Sequence, residues 1–219
     1  MIRLLLVDDH PVVRTGYRHL LEQDGDMTVV AQAGSVDEGY ALFVAHEPDI
    51  TITDIALPGS SGLDLIHRLR ERSAQARILA FSMHDSETLV HRAFELGALG
   101  FVSKSCAPDS LIEAVHSALA SRRYLSPGLP QHWLHSAARA PAFAQLTPRE
   151  FEVFRLLSSG ESPAECARVL HLSPKTISNL QSQIKEKLGT GTSAAMAHLA
   201  MSHGLIPAVT PSATPTGNT

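Results

Sequence analysis

Apolar residues along the first 120 positions follow two alternating patterns. Ile2–Val7, Val29–Ala33, Ile50–Thr53, Ile78–Phe81 and Leu99–Val102 are short, nearly continuous apolar runs, the signature of strands covered on both faces. After each run the apolar positions open out to helical spacing. They are Val12, Val13, Tyr17, Leu20 and Leu21; then Val36, Tyr40, Leu42 and Phe43; then Leu63, Leu65, Ile66 and Leu69; then Leu89, Val90, Ala93 and Phe94; then Leu111, Ile112, Val115 and Leu119. Five strands alternating with five helices predict an α/β, flavodoxin-like domain over residues 1–120 with a five-stranded parallel sheet. Gly34, Gly62, Gly97 and Gly100 fall between elements, and Pro11 and Pro108 suit first-turn helix positions.

Beyond residue 120 the strand signal stops. Residues 121–144 carry Pro127, Pro130 and Pro141 with many alanines and few acids, which reads as a linker with one short helix around Gln131–Ala138. Residues 145–206 are helical throughout. Thr147-Pro148-Arg149-Glu150 forms a cap, a first-turn proline and a capping-box acid, ahead of Phe151, Val153, Phe154 and Leu157. Ser162-Pro163 and Ser173-Pro174 open two further helices, through Cys166, Ala167 and Leu170 and through Ile177, Leu180, Ile184 and Leu188. Two short helices joined by a tight turn predict a helix-turn-helix. Residues 207–219, rich in Pro, Ala, Thr and Ser, read as a disordered tail.

The formal charge of −4 is unevenly placed. Residues 1–120 hold 9 Lys+Arg against 17 Asp+Glu, a net of −8, and residues 145–206 hold 6 against 5, a net of +1. The first part is therefore no nucleic-acid binder, and one copy of the second should bind DNA weakly. No basic leader or membrane-length apolar run is present, so a soluble, cytoplasmic protein without membrane contact is expected. Cys106 and Cys166 lie in different halves and read as two separate reduced thiols.

The chemistry concentrates at strand ends. Asp8, Asp9 and Asp54 follow the first and third strands, Ser82 the fourth, and Lys104 the fifth. Each has an ordinary reading taken singly: Asp9 as a helix cap, Asp54 as a turn residue before Leu57-Pro58-Gly59, Lys104 as a solvated lysine. Capping does not require acids after two strands, a hydroxyl after another and a lysine after the last. In a parallel sheet these residues converge on one rim, where α/β sheets bind ligands. Clustered carboxylates repel, and a hard cation such as Mg2+ relieves that repulsion while leaving a place for phosphate oxygen. Asp54 is then the expected nucleophile toward a phosphoryl group, with Lys104 and Ser82 positioned to meet the bound phosphoryl oxygens.

Residues 1–120 resemble a response-regulator receiver domain through Val7-Asp8-Asp9-His10, Asp54-Ile55-Ala56-Leu57-Pro58, Phe81-Ser82 and Gly97-Ala98-Leu99-Gly100-Phe101-Val102-Ser103-Lys104. The resemblance implies that Asp54 is the phospho-acceptor from a sensor histidine kinase. It also implies that Asp8, Asp9, Asp54 and the Ala56 backbone carbonyl hold Mg2+, and that Ser82 and Phe101 are a switch pair. Ser105 stands where many receivers have proline. A turnover enzyme is not expected. A haloacid-dehalogenase-like phosphatase is the enzymatic alternative, but Asp8-Asp9-His10 lacks its Asp-x-Asp motif and no lid domain is present.

Leu146-Thr147-Pro148-Arg149-Glu150, Leu172-Ser173-Pro174-Lys175-Thr176-Ile177-Ser178 and Lys187-Leu188-Gly189 are similar to the four-helix DNA-binding domain of the NarL/FixJ (LuxR-type) regulators. By that resemblance Ser178, Asn179 and Ser182 face bases, Lys175, Thr176 and Lys185 face the backbone, and Ser193–His203 is a dimer surface. Leu180, Gln181 and Gln183 replace more basic or histidine positions, which predicts weak monomer binding and dependence on dimers. The expected partners are a kinase, promoter DNA and a second copy, with RNA polymerase as a candidate contact. An RNA-binding output and a phosphorylation-independent regulator are the alternatives. In the expected mechanism the resting first domain packs near the second and masks it or its dimer surface, and phosphorylation draws Ser82 and Phe101 inward and releases it. Such a switch from mostly closed to mostly open needs about 5.5 kcal/mol of differential stabilisation.

Overall fold

A computed structural model describes residues 1–23, 25–134 and 143–206. β1 (Ile2–Val7), α1 (Pro11–Glu22), β2 (Met27–Ala33), α2 (Val36–His46), β3 (Ile50–Asp54), α3 (Gly62–Arg72), β4 (Ile78–Ser82), α4 (Glu87–Glu95), β5 (Gly100–Ser103) and α5 (Asp109–Leu119) alternate as the apolar pattern predicts. The strands pair in parallel in the order β2-β1-β3-β4-β5, extended at one edge by β6 (Tyr124–Leu125). Alternate residues of each strand serve opposite faces. Leu4, Leu6, Ile50, Ile52, Leu79, Phe81 and Val102 pack with α5 residues on one side, while Leu5, Val7, Ile78, Ala80 and Phe101 pack with α3 and α4 residues on the other.

The sheet therefore does not stop at residue 120. Ser126, next after β6, is fully buried and its hydroxyl accepts the Ser103 N–H at 2.9 Å. A two-residue edge strand offers no alternation to detect, and the surrounding prolines and arginines read as linker instead. Gln131–Leu134 form a 3-10 turn; the remainder of the helix expected to Ala138, and the tail expected after Ile206, lie outside the described residues.

The second half consists of α6 (Pro148–Ser158), α7 (Pro163–Val169), α8 (Pro174–Leu188) and α9 (Ser193–Ser202). Its local signals operate as written in the sequence. Thr147 with Glu150, and Ser162 with Glu165, close reciprocal capping boxes. Gly189 ends α8 at φ 63°, in the left-handed region where only glycine sits without strain. Phe151, Phe154, Ile177, Ile184, Met196 and Ala200 form the core of this domain.

The two halves are packed together. Arg92 of α4 is buried, donates to the Leu146 carbonyl and lies 6.0 Å from the Phe151 ring centre. Thr88 Oγ1 donates to the His203 carbonyl at 2.5 Å, and the Gly59 N–H donates to the Val169 carbonyl at 3.3 Å.

Candidate functional site: a phosphoryl-acceptor rim and a DNA-reading helix

The carboxyl ends of β1, β3 and β5 bring Asp8, Asp54 and Lys104 together. Asp8 and Asp54 are 1% and 4% exposed, so neither carboxylate is solvated as a surface acid is. The Lys104 ammonium, itself buried, donates to Asp8 Oδ2 and to Asp54 Oδ2 and lies 5.3 Å from the centre of the Phe81 ring. Asp54 Oδ1 accepts the Ala56 N–H at 2.9 Å, and Asp8 Oδ1 accepts the His10 N–H at 2.8 Å. One ammonium is thus shared by two buried carboxylates, leaving an uncompensated negative charge before Asp9 is counted. Burial raises the Asp54 pKa, opposed by Lys104 and the Ala56 amide and reinforced by Asp8. Burial also pulls the Lys104 ammonium down, but its bonds to Asp54 and Asp8 outweigh this and leave its pKa raised.

Asp9 is not the cap of α1. His10 occupies that position, and no side chain caps the helix. The ordinary explanation for Asp9 therefore fails, and its Oδ1 lies 2.8 Å from the His10 Nδ1. Asp8, Asp9, His10 and Asp54 each present a ligand atom, all within 4.8 Å of one another, a donor set that could hold a metal ion. The oxygen-rich composition suits a hard divalent cation. His10 was not singled out as a donor from the sequence, although its place directly after Asp8-Asp9 was the available signal. Arg14 was missed as well. One turn into α1, it donates to the Asp8 carbonyl and ties the end of β1 to the helix.

The switch candidates are both enclosed within the receiver. Ser82 is 1% exposed, with its hydroxyl accepting the His84 N–H at 3.0 Å, and Phe101 is fully buried. Both side chains are buried while the two halves are packed together. Ala56 is exposed at the rim.

On α8, Ile177 and Ile184 are fully buried and fix the helix rotation. Lys175, Ser178, Asn179 and Ser182 are exposed, and Thr176 and Lys185 are half-buried. The α/β domain therefore leaves the reading face uncovered, while its α4 reaches the end of the expected dimer surface through the Thr88–His203 bond. Ser178 and Ser182 donate to the Pro174 and Ser178 carbonyls at 3.0 Å each, so their hydroxyl oxygens face outward as acceptors.

Comparison with known proteins decides the family. The response regulator receiver domain family matches residues 4–116, and the luxR family of bacterial regulatory proteins matches residues 144–200. The chain is a NarL/FixJ-type response regulator. It is 38% identical to the transcriptional activator protein ExaE of Pseudomonas putida over 93% of this chain and 97% of that protein. It is 39% identical to the transcriptional regulatory protein UhpA of Escherichia coli (strain K12), over 90% of this chain and 96% of that one. Among solved structures it resembles RcsB from Salmonella enterica serovar Typhimurium, bound to a promoter in the presence of the phosphomimetic BeF3-. That likeness has 25% identity, a TM-score of 0.64, and coverage of 92% of this chain and 98% of that one. This response regulator thus joins a receiver to a LuxR-type DNA-binding domain and is a transcription regulator. No helix among its described residues is long and apolar enough to cross a membrane.

Proposed function

We propose that this response regulator, acting in the cytoplasm, takes a phosphoryl group on Asp54 from a sensor histidine kinase and then binds promoter DNA as a homodimer. The reading assigns residues 1–120, with the β6 edge, to the receiver, residues 145–206 to the DNA-binding domain, and the stretch between to the linker. The observation that carries it is the single Lys104 ammonium shared by buried Asp8 and Asp54. A structural ion pair needs one carboxylate; the second leaves charge that a cation and an incoming phosphoryl group can use.

Asp8, Asp9, Asp54 and the Ala56 carbonyl are the residues assigned to hold Mg2+, with His10 beside them. Bound there, the ion would supply positive charge to the phosphoryl oxygens. An Asp54 carboxylate oxygen attacks phosphorus, and the bond from phosphorus to the kinase histidine nitrogen breaks. That nitrogen keeps the bonding electrons. Lys104, released from full engagement with Asp54, pairs with a phosphoryl oxygen, and Ser82 donates to another. Asp54 is then an acyl phosphate formed once per activation, and the receiver is not a turnover enzyme.

On DNA, Ser178, Asn179 and Ser182 are assigned to base edges and Lys175, Thr176 and Lys185 to phosphates. With its hydroxyl hydrogen on a helix carbonyl, each serine accepts from a base amino group, while Asn179 can pair bidentately with adenine. A domain of net charge near +1 needs a second copy on an adjacent half-site to hold DNA firmly. α9 is the assigned dimer surface. The test is duplex binding by wild type and Asp54→Asn, each with acetyl phosphate and Mg2+. Stimulation only in the wild type is expected; equal binding by both contradicts the reading.

A further inference from the structure

Lys104 stands between two serines, and the hydroxyl of the first gathers several bonds. Ser103 closes β5 and is buried, and its Oγ lies 2.9 Å from Asp85 Oδ2 and 2.7 Å from Ser105 Oγ. A carboxylate only accepts, so the single Ser103 hydroxyl hydrogen belongs to Asp85. The Ser105 hydroxyl therefore donates to Ser103, and the Ser105 N–H approaches the same oxygen at 3.4 Å. Ser103 Oγ thus donates once and accepts twice, its full complement.

The main chain of Ser103 is held from the β6 side. Its N–H donates to the Ser126 hydroxyl at 2.9 Å. Ser126 is itself fixed, its N–H donating to the Phe101 carbonyl at 3.1 Å and its carbonyl accepting from the Leu129 N–H and the Gln131 side chain. Asp85 comes from the opposite neighbour of β5, three residues past Ser82 in the turn between β4 and α4. That turn already meets the lysine through the backbone, since the Lys104 N–H donates to the Ser82 carbonyl at 2.8 Å. Asp85 adds a side-chain clasp one residue before the lysine.

Satisfying a buried hydroxyl does not require a carboxylate. The buried Thr53 hydroxyl makes do with the carbonyl of Asp54, its own neighbour in β3. A charge-assisted bond from another turn is stronger than a neutral one, and here it fastens together the two turns that carry Ser82 and Lys104. Both of those side chains are assigned to the phosphoryl oxygens. The lysine stem is flexible, so the reach of its ammonium depends on where its backbone is anchored.

We propose that Asp85 is a positioning residue for phosphoryl transfer to Asp54: through the Ser103 hydroxyl it clasps the β4–α4 turn to the β5–α5 turn, so that Ser82 and Lys104 meet the phosphoryl oxygens at a fixed spacing. The inference rests on Asp54 being the phospho-acceptor. Among the described residues Asp85 bonds to Ser103 and to none of the groups assigned to the metal or the phosphoryl group, so it acts through its partner. Opening the clasp leaves the ammonium bonds of Lys104 to Asp8 and Asp54 in place, because they are made at the far end of the side chain. What it removes is the alignment of Lys104 with Ser82 as the ammonium shifts to a phosphoryl oxygen. The transfer step slows, and the affinity for Mg2+ stays.

The test is the rate of adduct formation on the full chain with acetyl phosphate, followed by mass spectrometry over a range of Mg2+ concentrations. Asp85→Ala is expected to lower the limiting rate about tenfold, since displacing a reacting group by roughly 1 Å costs up to about a hundredfold. The Mg2+ concentration for half-maximal rate should not move. Asp85→Asn keeps a side-chain oxygen that accepts from Ser103 and should recover most of the rate. Ser103→Ala should cost as much as Asp85→Ala, and the double variant no more than either, because one clasp opens only once. An unchanged rate in Asp85→Ala, a shifted Mg2+ dependence, additive losses in the double variant, or an Asp85→Asn as slow as Asp85→Ala overturns the proposal. Ser103→Ala at the wild-type rate overturns it even where Asp85→Ala fails to fold, which circular dichroism reads. A wild type without adduct contradicts the phospho-acceptor reading itself and is seen before any variant is compared.

Discussion

The rim of the receiver and the outer face of α8 solve opposite problems with opposite materials. At the rim, charged groups come from the ends of three strands, lie buried, and are held by one another: Lys104 bridges Asp8 and Asp54, and backbone amides fix the outer carboxylate oxygens. On α8, small polar residues come from consecutive turns of one helix, are mostly exposed, and are held by the buried Ile177 and Ile184 behind them. The rim is preorganised for a bond-forming step, so its parts depend on one another. The reading face is a set of nearly independent contacts whose arrangement is completed by DNA. Removing one part should therefore cause collapse in the first region and a graded loss in the second.

The largest expected effect tests the interdependence directly. Lys104→Met leaves two buried carboxylates facing each other. It should destabilise the receiver by about 3–5 kcal/mol at neutral pH, with the deficit shrinking as the acids protonate. Chemical denaturation at two pH values measures it, and a loss of only a few tenths would place Lys104 outside the network. Next is the response to Mg2+. The folded-state pKa of Asp54 is raised, so its protonation is favoured by folding; its contribution is stabilising at low pH and lost as pH rises through the folded-state value. Lys104, also raised, contributes below its unfolded pKa and loses that only at alkaline pH. On the proposed reading Mg2+ would compete with the proton at Asp54. Its stabilisation should be small in acid and grow toward neutrality, reaching about 2.7 kcal/mol at a hundredfold excess over Kd. Thermal unfolding across pH reads this, and a pH-independent Mg2+ effect would separate the ion from Asp54.

The contrasting region should respond piecemeal. Asn179→Ala is expected to cost about 1–3 kcal/mol on the preferred sequence and little elsewhere, whereas Lys175→Ala should weaken all sequences alike and lower the salt slope by about 1. Binding titrations at several salt concentrations distinguish the two. The smallest effect concerns Glu150, which closes a capping box and receives Lys187 at 2.6 and 2.8 Å. Burial raises its pKa, but Lys187 and Thr147 more than reverse this, so its stabilisation is present above the unfolded pKa and lost as pH falls through the lower folded value. Glu150→Gln should cost about 1 kcal/mol at neutral pH, since the Lys187 partner is partly exposed, and nothing in strong acid.

The same contrast explains what the sequence disclosed. A receiver core buried on both faces leaves continuous apolar runs, and a rim that needs acids, a hydroxyl and a lysine at strand ends leaves those types in a fixed order. The five long strands and the placement of Asp8, Asp54 and Lys104 were legible for that reason. β6 was not, because two residues carry no period. The proximity of His10 to the carboxylates depends on how the chain leaves β1, and the docking of Gly59 on His171 joins residues far apart in sequence with no shared pattern. The capping signals of α6, α7 and α8 were readable residue by residue. The inward state of Phe101 was not, because a fully buried aromatic and a hinged one look alike in a sequence.

The central claim is that Asp54, paired with Lys104 at the rim, accepts the phosphoryl group that drives output. The most direct measurement is peptide-resolved mass spectrometry of the full chain after incubation with acetyl phosphate and Mg2+. The account predicts a single acid-stabilised, hydroxylamine-labile phosphoryl adduct on the Asp54 peptide, absent from Asp54→Asn and from the Mg2+-free sample. No adduct, or one that persists in Asp54→Asn, contradicts it.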